Sequence, residues 1–124
     1  MNQAQATARL KQLAQDTARA IAPGVAITVE PGNPLVSGCG PEFADNVVAY
    51  TLLLPKLPAE RSHQILLAAK AYFEKKGYWI DAFQPTGASP AVHAETPDGF
   101  LITYTIATDG TSYVGASSPC VSRG

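Results

Sequence analysis

Two segments of the chain place apolar side chains every three or four positions, a spacing that predicts amphipathic helices. The first covers residues 3–22, has a face made mostly of alanine and stops at Pro23-Gly24. The second covers residues 58–76, where Pro58 suits the first position of a helix and Gly77 suits the position that follows one. Polar residues take the other face of both segments, so each helix is expected to pack one side against a sheet.

The remaining apolar runs are short and bounded by turn residues, which predicts strands. They cover residues 25–30, 47–54, 78–84, 91–96, 100–106 and 112–118. The second run is apolar on both faces, as in a central strand, whereas the fifth alternates apolar and polar residues. The segment 31–41 holds three prolines and is predicted to be a loop, and the tail 121–124 is predicted to be frayed.

These elements follow one another in the order α-β-β-α-β-β-β-β. Short turns such as Pro97-Asp98-Gly99 join the strands after the second helix, and strands joined this closely pair antiparallel. Both helices are then expected on one face of the sheet. Since a chain of 124 residues supports one hydrophobic core, residues 1–124 are predicted to form a single α+β domain, a two-layer sandwich with a mainly antiparallel sheet.

Composition and charge exclude several classes of protein. A chain that is 46% hydrophobic and 15% charged is unlike a disordered acidic or basic segment. Nine basic and ten acidic residues leave a net charge of -1, which gives no attraction for nucleic acid. No stretch approaches the roughly 18 apolar residues of a membrane-spanning helix. We therefore expect a folded domain with no nucleic-acid partner and no transmembrane segment.

The two cysteines, Cys39 and Cys120, lie in turn-like sequences far apart in the chain. They are too few for a closed zinc site and too distant for a Cys-x-x-Cys redox motif. Such a pair suits a structural disulfide in an exported protein, and the alternative is two unrelated thiols in a cytosolic one. The first five residues hold no basic and no apolar signal segment, so an exported protein would have lost its signal peptide.

Several local patterns occur together along the chain. They are the amphipathic first helix, the Gly38-Cys39-Gly40 loop, the lysine-ended second helix before Gly77-Tyr78-Trp79, the hairpin at Asp98-Gly99-Phe100 and the terminal Ser118-Pro119-Cys120-Val121. In this combination the chain resembles small secreted proteins and lipoproteins of actinobacteria, the class that includes LppA-like lipoproteins. The resemblance implies an extracellular or cell-envelope domain with a disulfide, and it carries over no catalytic residues.

Two histidines are the first candidates for catalytic or metal-binding chemistry. His63 follows Glu60 by three residues on the second predicted helix, which brings the two side chains together as in an acid–base pair, but a solvated helix face is the favoured interpretation. His93 and Glu95 share one face of a predicted strand and would suit a metal or an acid–base pair. Because no third ligand or partner accompanies them, the sequence predicts neither an enzyme nor a metal or other cofactor.

Aromatic side chains concentrate in the second half of the chain. Strict alternation along residues 78–84 puts Trp79, Asp81 and Phe83 on one face and Tyr78, Ile80 and Ala82 on the other. If the first face is uncovered, Trp79 and Phe83 form an exposed aromatic patch of the kind that marks binding surfaces. The alternative is that these rings pack against turns and the first helix.

Three functional hypotheses follow. The first is a non-catalytic exported or cell-envelope domain that binds a protein or an apolar ligand through a sheet face. The second is an immunity or inhibitor-type protein that acts by occluding a surface, which a strongly charged face would favour. The third is a small enzyme built on His93 and Glu95, which would require a pocket beside them and a third converging polar group.

Overall fold

The computed structural model describes all of residues 1–124 as two helices on one face of a seven-stranded antiparallel sheet. In chain order the elements are α1 (Gln3–Ile21), β1 (Thr28–Val29), β2 (Leu35–Cys39), a 3-10 turn (Pro41–Phe43), β3 (Asp45–Leu54), α2 (Ala59–Lys75), β4 (Trp79–Gln84), β5 (Ala91–Glu95), β6 (Leu101–Ile106) and β7 (Ser112–Ser117). The predicted α+β class and helix–strand order are confirmed, with one strand added. Neither helix is both long and apolar enough to cross a membrane.

The sheet has the strand order β1-β3-β7-β6-β5-β4, and β2 lies beside β1 along the same edge of β3. β2 pairs with the first half of β3, from Leu35 opposite Ala49 to Cys39 opposite Asp45. The prediction that residues 31–41 are a loop is therefore wrong for β2. Its prolines lie in the turn before the strand and just after it, which leaves five residues free to pair.

The hydrophobic core lies between the helices and one face of the sheet. β3 contributes alternate side chains, Val48, Tyr50, Leu52 and Leu54, all of which are buried. The largest fully buried side chains are Tyr104, Phe73 and Phe100. The buried face of α1 combines three alanines with Leu10, Leu13, Thr17 and Ile21, and it packs against β3 and β7, while α2 covers β4, β5 and β6.

A disulfide joins Cys39 at the end of β2 to Cys120, with their Cα atoms 6.0 Å apart. The predicted pairing of these cysteines is confirmed. The bond ties an edge strand to the segment after β7, on the two sides of β3. Disulfides of this kind are typical of proteins in oxidising compartments.

The segment after β7 is held against the fold, so the predicted fraying of residues 121–124 is wrong for Val121 and Ser122. Val121 is buried, and its N–H and C=O both pair with Asn46 at 2.8 and 2.9 Å. The carbonyl of Ser122 accepts a hydrogen bond from the backbone N–H of Gln3 at 2.8 Å. The tail is thereby anchored both to β3 and to the start of α1.

An ion pair fixes α1 to the turn between β5 and β6. The Arg9 guanidinium lies 3.2 Å from an Asp98 carboxylate oxygen and 5.7 Å from the centre of the Phe100 ring. The Thr96 hydroxyl also donates to Asp98 at 2.6 Å. The hydrogen bond from Arg9, assisted by the one from Thr96, lowers the pKa of Asp98 below its ordinary value of 3.8.

Replacing both cysteines by serine should lower the free energy of unfolding by up to about 4 to 5 kcal/mol, the loop-entropy value for a crosslink that spans 81 positions. Urea unfolding of the wild type and of the Cys39→Ser/Cys120→Ser variant measures the difference. Reductant should destabilise the wild type and leave the double variant unchanged. Equal stability of the reduced and oxidised wild type would contradict a stabilising role for the bond.

Replacing Arg9 by methionine should raise the pKa of Asp98 towards 3.8, because its main hydrogen-bond donor is lost. Since the folded-state pKa lies below the unfolded one, Asp98 contributes stability at higher pH and loses it as the pH falls below 3.8. The variant should therefore show a shallower loss of stability on acidification. A carboxyl NMR titration measures the pKa, with Arg19→Met on the same helix as control. An unchanged pKa in Arg9→Met would contradict the assignment.

Candidate functional site

The face of the sheet opposite the helices, which we call the open face, carries a groove across the strands. Both helices pack on the other face, so the side chains here are half-buried or exposed. The groove has a volume of about 330 Å³. Its lining includes Ala49, Thr51, Asp81, His93, Leu101, Thr103, Gly115 and Ser117.

The floor of the groove is a row of small and polar residues placed side by side by strand pairing. The row runs through Thr51, Gly115, Thr103 and His93, on β3, β7, β6 and β5 respectively, and it continues beyond the groove to Ala82 on β4. A neighbouring row on the same face runs through Leu35, Ala49, Ser117, Leu101, Glu95 and Trp79. The face is concave over Gly115, where the small residues Ala49 and Ser117 of this row lie beside the longer side chain of Leu101.

Gly115 gives the groove its depth at the centre of the sheet. A Cβ atom at this position would lie 3.3 Å from Cγ2 of Thr103, so even a methyl group would begin to fill the floor. The Thr103 hydroxyl donates to the carbonyl of Val92 at 3.0 Å, which holds the side chain against the sheet. A glycine inside a strand often marks a close approach by another group, and here it leaves room for one.

An irregularity in β4 decides which side chains reach the groove. The pairing with β5 shifts between Ile80 and Ala82, so Asp81 is an extra residue that bulges from the ladder. Asp81 lines the groove at the end where His93 lies. The bulge also turns the rest of the strand over, because residues beyond it change face.

Phe83 lies on the helix side as a result, opposite Val92 and packed against the core. The Lys70 ammonium of α2 sits 5.4 Å from the centre of its ring. The prediction that Phe83 shares a face with Trp79 is therefore wrong, since strict alternation does not hold across a bulge. Trp79 is on the open face opposite Glu95, and 66% of its surface is exposed.

Charge is distributed unevenly between the two layers. None of the nine lysine and arginine residues lies in a strand, and six of them lie in α1 and α2. Asp81 and Glu95 on the open face form no ion pair, whereas the two ion pairs of the protein, Arg9–Asp98 and Lys70–Glu74, both involve a helix residue. The open face is therefore acidic and the helix layer carries the cations.

The two histidines lie in different places. His93 and Glu95 are on the open face, as alternation predicts, and no hydrogen bond joins them. Glu60 and His63 line a wider cleft of about 920 Å³ between the start of α2 and the loops before β5 and β7. No three His, Cys, Asp or Glu side chains come close enough together to hold a metal ion. The absence of catalysis stays a prediction.

Comparison with known proteins supports the fold. No protein-family model matches the chain, and no curated protein matches it significantly. Among solved structures it is similar to a DUF4853 family protein from Actinomyces odontolyticus, with a TM-score of 0.51 and 22% sequence identity. The likeness covers 95% of this chain and 63% of that one, so this chain spans less than two thirds of its neighbour's length. At this identity the likeness extends to the fold alone, and the resemblance to LppA-like lipoproteins stays a prediction.

Sequence reasoning missed Gly115, Thr103, Thr51 and Asp81 as groove residues. A glycine within the strand pattern 112–118 was a usable signal, because glycine weakens a strand unless close approach requires it. Thr51 and Thr103 become neighbours only through the pairing of β3, β7 and β6. Alternation places Asp81 on the same face as Trp79, but no residue pattern in β4 indicates the bulge that moves Ala82 to that face and Phe83 to the other.

Trp79 is the single tryptophan of the chain, so its fluorescence reports on the open face directly. We expect a red-shifted emission maximum and efficient quenching by acrylamide and iodide, because two thirds of the side chain meets water. Unfolding should change the maximum little. A blue-shifted emission that resists both quenchers would place Trp79 in a packed environment and contradict the open face.

Proposed function

We propose that this protein is an exported binding domain that holds an apolar group of a partner protein or ligand in the groove of its open face. The observation that carries the proposal is the concavity over Gly115, bordered on one side by the exposed leucine Leu101. A site of about 330 Å³ is at the small end of the roughly 300–1,000 Å³ typical of ligand pockets. It suits one aromatic or branched side chain, or a short apolar ligand.

The polar groups around the groove support recognition of an oriented partner. Thr51, His93 and Ser117 offer donors and acceptors beside the apolar surface of Leu101. Mostly apolar lining with a few placed polar groups is the usual character of a binding site. Because strands supply every one of these residues, the groove keeps its shape before a partner arrives.

The proposal that the protein is exported rests on the disulfide. Structural disulfides form and persist mainly in oxidising compartments, so the Cys39–Cys120 bond favours an extracellular or cell-envelope location. The second hypothesis, an immunity or inhibitor-type protein, shares the mode of action through a surface but assigns no role to a groove. The concavity therefore favours the binding domain.

The groove should bind the neutral dye Nile red, whose fluorescence rises in apolar surroundings. Leu101→Ala should weaken binding about threefold to tenfold by removing apolar contact, and Gly115→Val should abolish it by filling the floor. Fluorescence titration measures both, and thermal melts establish that the variants fold.

Leu67 on α2 supplies a matched control, because it is 49% exposed, as is Leu101, but lies in the other layer. Leu67→Ala should leave dye binding unchanged. If Leu67→Ala and Leu101→Ala weaken binding equally, or if the folded wild type binds no dye, the groove is not an apolar binding site.

A further inference from the structure

The charge of the open face indicates what kind of partner it accepts. Asp81 and Glu95 lie near one end of the groove, Trp79 stands beside Glu95, and no strand of the sheet carries a lysine or arginine. An anionic partner would meet uncompensated repulsion here. A cation would meet two unpaired carboxylates and an exposed indole ring, a combination that favours lysine or arginine.

We propose that the open face binds a segment of a partner protein in which a lysine or arginine lies about three residues from an apolar side chain. The inference rests on the proposed function and adds the chemistry of the partner. The apolar side chain enters the groove over Gly115, and the cation lies between Asp81 and Glu95.

Sheet geometry sets the spacing within that segment. Gly115 is on β7 and Glu95 on β5, with β6 between them, and Glu95 is offset from Gly115 by two residues along the strands. The two positions are therefore roughly 12 Å apart. An extended peptide advances about 3.3 Å per residue, so three to four residues span this distance. An isolated cation would use only one end of the groove, and an uncharged apolar ligand would leave the carboxylates unpaired. A protein segment with both groups uses the whole site.

The position of Asp81 adds a second argument for recognition at this end. Asp81 belongs to the edge strand β4, yet it lines the groove together with His93. A charge on an edge strand can also serve to prevent edge-to-edge pairing. Glu95 lies one strand inward, where protection of the edge does not explain it, and it faces the same side.

Three capped hexapeptides test the proposal: Gly-Leu-Ser-Ser-X-Gly with arginine, its neutral isostere citrulline, or glutamate at X. Titration of the 15N-labelled protein by NMR gives dissociation constants into the millimolar range. The arginine peptide should bind about three to ten times more tightly than the citrulline peptide, the range for two partly exposed ion pairs. Its shifts should centre on the amides of β5, β6 and β7, and added salt should remove the preference.

Two charge-matched double variants locate the effect. Asp81→Asn/Glu95→Gln should abolish the preference for arginine, whereas Asp16→Asn/Glu60→Gln, with the same change in net charge on the helix layer, should retain it. Loss of the preference in both variants, or in neither, would overturn the proposal.

The two proposals fail in different ways. If all three peptides bind equally while Nile red binds and Gly115→Val blocks it, the groove is a binding site but the partner is not cationic. If Nile red and the peptides all fail to bind, both proposals fail. If dodecyltrimethylammonium displaces the dye but the arginine peptide does not, the site accepts a cationic amphiphile and the protein partner is excluded.

Discussion

The pairing of β3 on both of its edges is the constraint on which the rest of the structure depends. β1 and β2 share one edge of this ten-residue strand, and β7 occupies the other. Its alternate residues fill the core on one side and enter the open face on the other, at Ala49 and Thr51. Asn46 near its start anchors the tail, which positions Cys120 for the disulfide. The core, the disulfide and the groove therefore all depend on the position of β3.

The parts of the fold that local periodicity determines could be predicted from the sequence. The helices over 3–22 and 58–76 and the alternating strand over 100–106 correspond to α1, α2 and β6. The parts that failed depend on partners distant in the chain. β2 is a strand because β3 offers an edge, and Val121 is ordered because Asn46 pairs with it. The segment around β2 is rich in proline and glycine, and the tail is only a few residues long. Local composition therefore gave no sign of these partners.

The candidate site likewise combines features that local periodicity predicts with features that depend on residues distant in the chain. Alternation put Trp79 and Asp81 on one face of their strand and His93 and Glu95 on one face of theirs, and the structure agrees; it also shows that Trp79 is exposed, which alternation left open. The groove arises from lateral neighbours on different strands, and the face of Phe83 is set by a one-residue bulge; neither has a periodic signature. The uneven distribution of charge follows from the sequence once each residue is assigned to the sheet or to the helices. The net charge of the whole chain does not reveal it. A domain with a balance near zero can still present one acidic face.

The backbone hydrogen bond between Gln3 and Ser122 brings the first and last residues of the domain together. Both ends of the chain lie at one end of the sheet beside the start of β3, while the exposed Asp109-Gly110 turn lies at the other end. The groove crosses the strands between these two places. The domain is therefore suited to circular permutation, with a short linker joining its present ends and new ends opened at that turn, and to insertion into a host protein as a module that displays its open face.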